Sequence, residues 1–226
     1  MDVVFLAFEG VTLQDLVGAH EVLWRAPGVR ATLCGVGSNR IVSEGGVALE
    51  CDSTLGTSTR ADMLVVPGGP GVNRLLADHA ALERIADIGA DARYITSVCT
   101  GSLVLAAAGL LEGYRATSHW RYRDLLALGG ATPVDARVVR DRSRITGGGI
   151  TAGIDFGLAI VDELWSRSIA QSIALMMEYD PQSPVGSGSP SAVNPEIVQR
   201  TILHTQKNYD ERHMLLASRL DRIRTS

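Results

Sequence analysis

Three observations predict an α/β fold, with a mostly parallel sheet and helices on both faces. Short apolar runs alternate along the chain with longer stretches of helical periodicity. Three of those runs end in glycine-rich turns that lead into helices. The length, 226 residues, suits one well-filled domain of this kind.

Val3–Phe8 is a compact apolar run closed by Glu9-Gly10, which predicts a buried first strand. Leu13, Leu16, Val17, Ala19, His20 and Leu23 recur at helical spacing, so a helix is expected from Leu13 to Arg25, ended by Pro27-Gly28. Ala31–Val36 reads as a second strand. Ile41–Ser43 and Val47–Cys51, joined by Glu44-Gly45-Gly46, read as a hairpin attached to the sheet. Met63–Val66 is a further strand running into Pro67-Gly68-Gly69-Pro70-Gly71, with two short helices expected over Val72–Ala77 and Ala80–Ala90.

Tyr94–Val98 is the next strand, with Cys99-Thr100-Gly101 at its end and an apolar helix over Ser102–Ala108. A helix over Tyr122–Leu128 and a strand pair at Val138–Val139 and Arg144–Thr146 come next. Gly147-Gly148-Gly149 leads into a helix over Thr151–Leu164, followed by one over Ile169–Tyr179. Asp180–Pro195 is rich in Pro, Ser and Gly, and Pro195–Arg224 is polar and helix-prone, with apolar residues too sparse for a core of its own. The expected organisation is a domain over residues 1–180, with an arm and helical tail over 181–226 packed on it.

Hydrophobic residues make up 46% of the chain and charged residues 20%, ordinary values for a chain with a real core. A net charge of −4 gives no basic footprint for nucleic acid. The N-terminus has no basic segment before its short apolar run, so no signal peptide is expected. No apolar stretch approaches the roughly 20 residues that span a bilayer. Cys34, Cys51 and Cys99 form no CxxC pair and no metal-ligand spacing, which fits a reducing cytoplasm better than a disulfide framework.

The chemistry concentrates at Tyr94–Ser102. An apolar strand stops at Cys99, and a small residue and a glycine follow before the next helix. Such a turn holds a side chain in a strained backbone geometry above the sheet edge. The helix behind it presents free N–H groups and partial positive charge to the sulfur, which is expected to lower the thiol pKa and raise the thiolate fraction. Taken alone, Cys99 can equally be a small buried core residue, the usual fate of cysteine.

In a parallel sheet, strands 63–66 and 94–98 end on the same edge, so the 67–71 loop should lie beside Cys99. Glycines there let backbone N–H groups approach a substrate or a developing anion, or they merely reverse the chain. Gly147–Gly153 repeats the pattern, with the amide of Ile150 exposed by the turn or the glycines serving close packing. Asp15, early in the first helix, is either a surface charge favoured by the helix dipole or a carboxylate at the sheet edge near Cys99. In the second case burial and the nearby thiolate would raise its pKa and make it a proton donor near neutrality. His119 is the natural candidate for a cysteine's base, but Thr100 occupies the position after Cys99, and His119 beside Trp120 can equally be structural. His20, His79, His204 and His213 are assigned no chemistry, and Cys34 and Cys51 are expected to pack within strands.

Ser97-Val98-Cys99-Thr100-Gly101-Ser102-Leu103, with Pro67-Gly68-Gly69 upstream and Thr146-Gly147-Gly148-Gly149-Ile150-Thr151-Ala152-Gly153-Ile154-Asp155 downstream, resembles the DJ-1/PfpI superfamily. The likeness is strongest to the branch that hydrates isonitriles, which Ala116–Trp120 and Glu178-Tyr179 also fit. It loosens before Met63 and after Asp180. The resemblance implies a flavodoxin-like (class I glutamine amidotransferase-like) domain, a cytoplasmic homodimer, and a cysteine nucleophile at a strand–helix turn. Many superfamily members carry glutamate on the first helix where this chain has Asp15, and members with proposed protease activity carry Cys-His where this chain has Cys99-Thr100. Asp15 with Cys99-Thr100 is therefore the most discriminating feature.

By that resemblance, Cys99 attacks the isonitrile carbon, Asp15 is the proton partner and Thr100 tunes orientation through its hydroxyl. Gly68, Gly69, Ile150 and His119 are expected at the substrate. No metal or organic cofactor is implied, and the expected partners are a small-molecule isonitrile and a second copy of the chain. The alternatives are a glyoxalase-like or other activity of this superfamily, or a cysteine-based sensor of electrophiles or oxidants. The ligand domain of a transcription regulator is disfavoured, because about 30 residues after Pro195 are too few for a DNA-binding helix pair with its own core.

Overall fold

The computed structural model describes residues 1–56 and 59–225, with side chains through Leu220. Residues 57, 58 and 226, part of the expected domain and tail, lie outside them. The chain opens with β1 (Asp2–Ala7), whose last five residues are buried, and α1 (Leu13–Leu23). β2 (Arg30–Gly35) returns parallel to β1, pairing Val3 with Ala31 through Ala7 with Gly35. β3 (Arg40–Val42) and β4 (Ala48–Glu50) follow, and β5 (Ser53–Thr54) adds a short edge beside β2.

Next come β6 (Met63–Val66), α2 (Val72–Ala77), α3 (His79–Asp91), β7 (Tyr94–Val98) and α4 (Gly101–Ala107). Every residue of β6, β7 and α4 is buried. This is why those strands read as unbroken apolar runs and not as alternating ones. β8 (Arg115–Ala116), a 3₁₀ turn over Arg123–Gly129, β9 (Thr132–Pro133), β10 (Val138–Asp141) and β11 (Arg144–Gly147) lead to α5 (Ala152–Leu164), α6 (Arg167–Met176) and α7 (Pro195–Thr225).

Among the described residues the main sheet runs β10-β11-β7-β6-β1-β2-β5, parallel throughout except for β10 at one edge. Helices α1, α5 and α6 pack together as one layer, and α2, α3, α4 and α7 pack together as the other. This is the α/β, flavodoxin-like architecture expected. Chain order reverses between β1 and β6, next to β7, and ligands of open α/β sheets bind outside the strand ends at such a switch.

Several local expectations are corrected. The β3–β4 hairpin pairs only with itself and is not a strand pair of the main sheet. It hangs over the carboxyl rim through Gly10 N–H to Val42 O (2.9 Å) and Glu44 N–H to Val11 O (3.0 Å). The segment expected as a helix over Tyr122–Leu128 is a 3₁₀ turn closed by Gly130 in the left-handed region, φ 73°. Helix α6 stops at Met176, not Tyr179, because Glu178 takes φ 50° and Tyr179 N–H folds back onto Ala174 O. The two-residue strands β5, β8 and β9 carry no periodicity and left no trace in the pattern.

Candidate active site

The turn after β7 is held by hydrogen bonds on both sides of Cys99. Cys99 is a non-glycine residue in the left-handed region, φ 57°, a conformation that costs about 1–3 kcal/mol and persists only where its surroundings over-determine it. They do so here. Its N–H donates to Gly147 O (3.1 Å) and Gly148 O (2.8 Å). Its carbonyl accepts from the hydroxyls of Ser102 (3.1 Å) and Ser118 (3.0 Å). Gly101 sits so close to β6 that a Cβ would lie 2.0 Å from Val66 O, so only glycine lets α4 start against that strand.

Register places the loops beside the cysteine. β6 pairs with β7 up to Val66–Ser97, and β11 pairs with β7 up to Gly147–Val98. The 67–71 loop and the 147–149 turn therefore flank Cys99 on either side, as the parallel-sheet argument requires. Asp15, from the first turn of α1, reaches the same point and is fully buried. Gly68 N–H donates to Asp15 Oδ2 (3.0 Å), and Gly69 N–H donates to Thr100 Oγ1 (3.2 Å). A Cβ on Gly68 would lie 2.6 Å from both Thr100 N and Oγ1 and 2.8 Å from Asp15 Oδ2. The glycine loop is thus the bracket that joins Asp15 to Thr100.

This corrects part of the sequence reading. The Gly68 and Gly69 amides, expected to face substrate, are engaged by Asp15 and Thr100. The Thr100 hydroxyl, expected to tune orientation, accepts from the Gly69 amide. Gly69, Thr100, Cys99, His119 and Ile150 line a common cavity of about 270 Å³, while Asp15 and Gly68 lie behind its wall. Ile150 is 40% exposed at the rim.

Burial pushes the Asp15 carboxyl up to about 7, and the exposed Glu44 carboxylate adds to the rise. The direction is the one expected, though the extra charge comes from Glu44 and not from the thiolate. Cys99 lies against the same carboxyl and interacts with it by hydrogen bond and by charge. Asp15 Oδ1 nonetheless meets no partner in full hydrogen-bond geometry, so the Asp15–Cys99 contact is looser than the Gly68 one.

Burial, then Asp15's charge, push the Cys99 thiol well up, against the expected lowering; the Thr100 N–H and Arg212 pull it back. The expectation failed because α4 is only seven residues long and Cys99 is 5% exposed. Asp15 and Cys99 therefore compete for one proton and titrate as a pair. A thiolate at Cys99 is compatible with Asp15 only when Asp15 carries that proton.

His119 lines the cavity, and Arg121 N–H donates to its Nδ1 (3.3 Å), which leaves the ring proton on Nε2. Burial and the charges of Arg212 and Arg121 lower its pKa to about 4. It is neutral at pH 7 and cannot form an imidazolium–thiolate pair. Among the described residues no His/Cys/Asp/Glu cluster is arranged for a metal ion, and no helix is long and apolar enough to cross a membrane.

Sequence reasoning missed the cavity wall that α7 contributes. Thr201, Thr205, Asn208 and Arg212 face Cys99 across the cavity from one stripe of that helix. Arg212 is 2% exposed; its Nη2 donates to Gly69 O (2.7 Å) and its Nε to Asn73 Oδ1 (2.8 Å). The only available signal was their spacing of four, three and four residues, which matches one face of a helix. Without the apolar residues that normally mark a buried face, it did not single these four out, although the tail was expected to pack on the domain.

Residues 1–163 match the DJ-1/PfpI family. The chain is 47% identical to the isonitrile hydratase of Pseudomonas putida over 86% of its own length and 85% of that protein's. A crystal structure of a ThiJ/PfpI family protein from Pseudomonas syringae superposes with a TM-score of 0.92 at 41% identity, covering 95% of this chain and 90% of that one. A DJ-1 superfamily protein from Salmonella typhimurium superposes with a TM-score of 0.70 at 27% identity, over 80% of this chain and 99% of that one.

Proposed function

The chain belongs to the DJ-1/PfpI family, and from that premise we propose that it is an isonitrile hydratase, converting R–N≡C and water to the N-substituted formamide. The observation that carries this reading is the pairing of Cys99 with a buried aspartic acid, within a chain 47% identical to an isonitrile hydratase.

In this reading Cys99 thiolate forms a C–S bond to the terminal carbon of the isonitrile. The electron pair that develops on that carbon takes the proton of Asp15, giving the thioimidate R–N=CH–S–Cys99. Asp15, now a carboxylate, accepts a proton from water as its oxygen adds to the same carbon, and passes that proton to the nitrogen. The tetrahedral adduct R–NH–CH(OH)–S–Cys99 expels the thiolate as its hydroxyl proton returns to Asp15, which releases R–NH–CHO and restores the starting pair. One difficult addition becomes two easier ones, the usual gain of covalent catalysis.

The burial that raises Asp15 to about 7 fits it for this exchange, since a donor and acceptor works best near the operating pH. Thr100 holds the Gly69 amide through its hydroxyl. The neutral Nε2–H of His119 is available to a substrate nitrogen or water. A homodimer in the cytoplasm, without metal or organic cofactor, completes the proposal.

Incubating purified protein with a small alkyl isonitrile and following the formamide by chromatography tests it. Many turnovers per chain are expected. A single equivalent of substrate trapped on Cys99, with no release, would replace the enzyme by an electrophile sensor.

A further inference from the structure

Arg212 stands out among the buried groups that the proposed reaction leaves unused. It comes from α7, which begins 32 residues beyond the family match at residue 163. Its guanidinium lies over the Tyr122 ring, 4.3 Å from the centroid. Asn73, which accepts from its Nε, is itself fixed by Asn208 of the same helix (3.0 Å). Among the described residues, its hydrogen bonds go to an amide oxygen and a backbone carbonyl, both neutral. A buried cation with neutral partners is costly unless an anion lies close by. The cavity it faces contains Cys99.

We propose that Arg212 is a positioning residue of the Cys99 site. Its guanidinium is the counter-charge for the Cys99 thiolate and, through the Gly69 carbonyl, the clamp on the glycine loop that joins Asp15 to Thr100. The two roles meet in one side chain because the Gly68–Gly69 pair ties all three groups together: Gly69 N–H donates to Thr100, Gly68 N–H donates to Asp15, and Gly69 C=O accepts from Arg212. The other charged and titratable groups facing this point are Asp15 from α1, Glu44 from the β3–β4 hairpin, His119, Arg121 and Tyr122 from the segment before the 3₁₀ turn, and Glu211 beside Arg212. Asp15 opposes the thiolate when ionised, and Glu44 is exposed. His119 is neutral. Arg212 is the buried permanent cation of the set.

The inference rests on Cys99 as nucleophile but not on the isonitrile as substrate, so its test reads the thiol directly. The rate of Cys99 alkylation by iodoacetamide is measured against pH, by peptide mass mapping, in wild type, Arg212→Gln and Arg212→Lys. Glutamine keeps a hydrogen-bond donor and loses the charge; lysine keeps the charge and loses the two-pronged fork. In Arg212→Gln the thiol titration should move up by about one pH unit, with alkylation near pH 7 slowed roughly tenfold. In Arg212→Lys the titration should stay at the wild-type position. If the isonitrile is also turned over, the lysine variant should lose kcat several-fold with KM little changed, as expected of a misplaced loop. A glutamine variant titrating like wild type, or a lysine variant whose thiol moves up, overturns the proposal even if the other variant does not fold. Absence of isonitrile turnover in wild type would instead remove the hydratase reading and leave this one standing.

Discussion

The two walls of the Cys99 cavity are built in different ways. On the sheet side, the cysteine turn is fixed mainly by backbone: strand register on both flanks, two hydrogen bonds from its N–H to glycine carbonyls, two from serine hydroxyls to its own carbonyl, and glycines that admit no Cβ. On the opposite side, α7 is tied by side chains. Arg212 and Asn208 reach the 67–73 segment, Arg121 donates to Thr205 (3.2 Å) and Gln206 (2.8 Å), and Tyr209 donates to Asp124 (2.5 Å). A wall built mainly from backbone fixes where Cys99 stands and tolerates side-chain change poorly. A wall tied by side chains sets the charge and shape around Cys99, and each tie can change alone.

The largest expected effect tests the backbone wall's central claim. Cys99→Ala should lower formamide production by at least about 10³-fold, the scale lost when a nucleophile is removed, with the circular dichroism spectrum unchanged. Wild-type turnover in that variant would remove Cys99 from the chemistry. Asp15→Asn should cost about 10²–10⁴-fold in kcat, the usual contribution of a positioned proton donor.

The pH profile sharpens the same point. In the wild type kcat/KM should rise as pH passes through about 7, where the doubly protonated Asp15–Cys99 pair gives up its first proton, and fall once the second is lost; the asparagine variant should lack the limb near 7. Stability runs the other way. The folded Asp15 holds its proton up to about 7, against an ordinary value of 3.8. Its contribution is therefore present below 3.8 and lost as pH rises through 7. Denaturation midpoints of wild type and Asp15→Asn should diverge across that window, and parallel curves would place the carboxyl in an ordinary environment.

Gly68→Ala tests whether the glycine loop is a bracket. A methyl 2.6 Å from Thr100 N forces backbone apart, at about 1–3 kcal/mol for overpacking. Urea unfolding and kcat should both register it. The smallest effect is expected on the α7 side: Tyr209→Phe removes one hydrogen bond to Asp124, about 0.5–1.5 kcal/mol. It should lower the melting temperature slightly and change turnover less than about twofold. A larger loss of turnover would mean that the α7 wall is as finely set as the cysteine turn.

Much of the sheet side was legible in the order of residues. Tyr94–Val98 and Met63–Val66 ended where the structure ends them, because a strand buried on both faces leaves an unbroken apolar run and the glycines after it mark the turn. Adjacency of the 67–71 loop to Cys99 followed from parallel pairing. What the pattern could not supply was how the loop is used. Whether a glycine amide faces a ligand or a carboxylate depends on which side chain arrives there, and Asp15 arrives from another strand–helix unit. His119 was equally ambiguous, since a histidine's charge is set by burial and by cations from elsewhere in the chain.

The sequence by itself determined the α/β class and the strand–helix turn at Cys99, and it left Cys99 and Asp15 as candidates with bland alternatives open, because each leaves only a local mark: periodicity, a glycine after a strand, a lone carboxylate among apolar neighbours. Tertiary structure alone decided that the Cys99 thiol is pushed up and not down, that Asp15 and Cys99 share a proton, and that a polar helix closes the cavity with Arg212. The physical reason is common to all three. Burial and charge act through space, and a guanidinium 113 positions along the chain from Cys99 announces neither until the fold brings it to the same cavity.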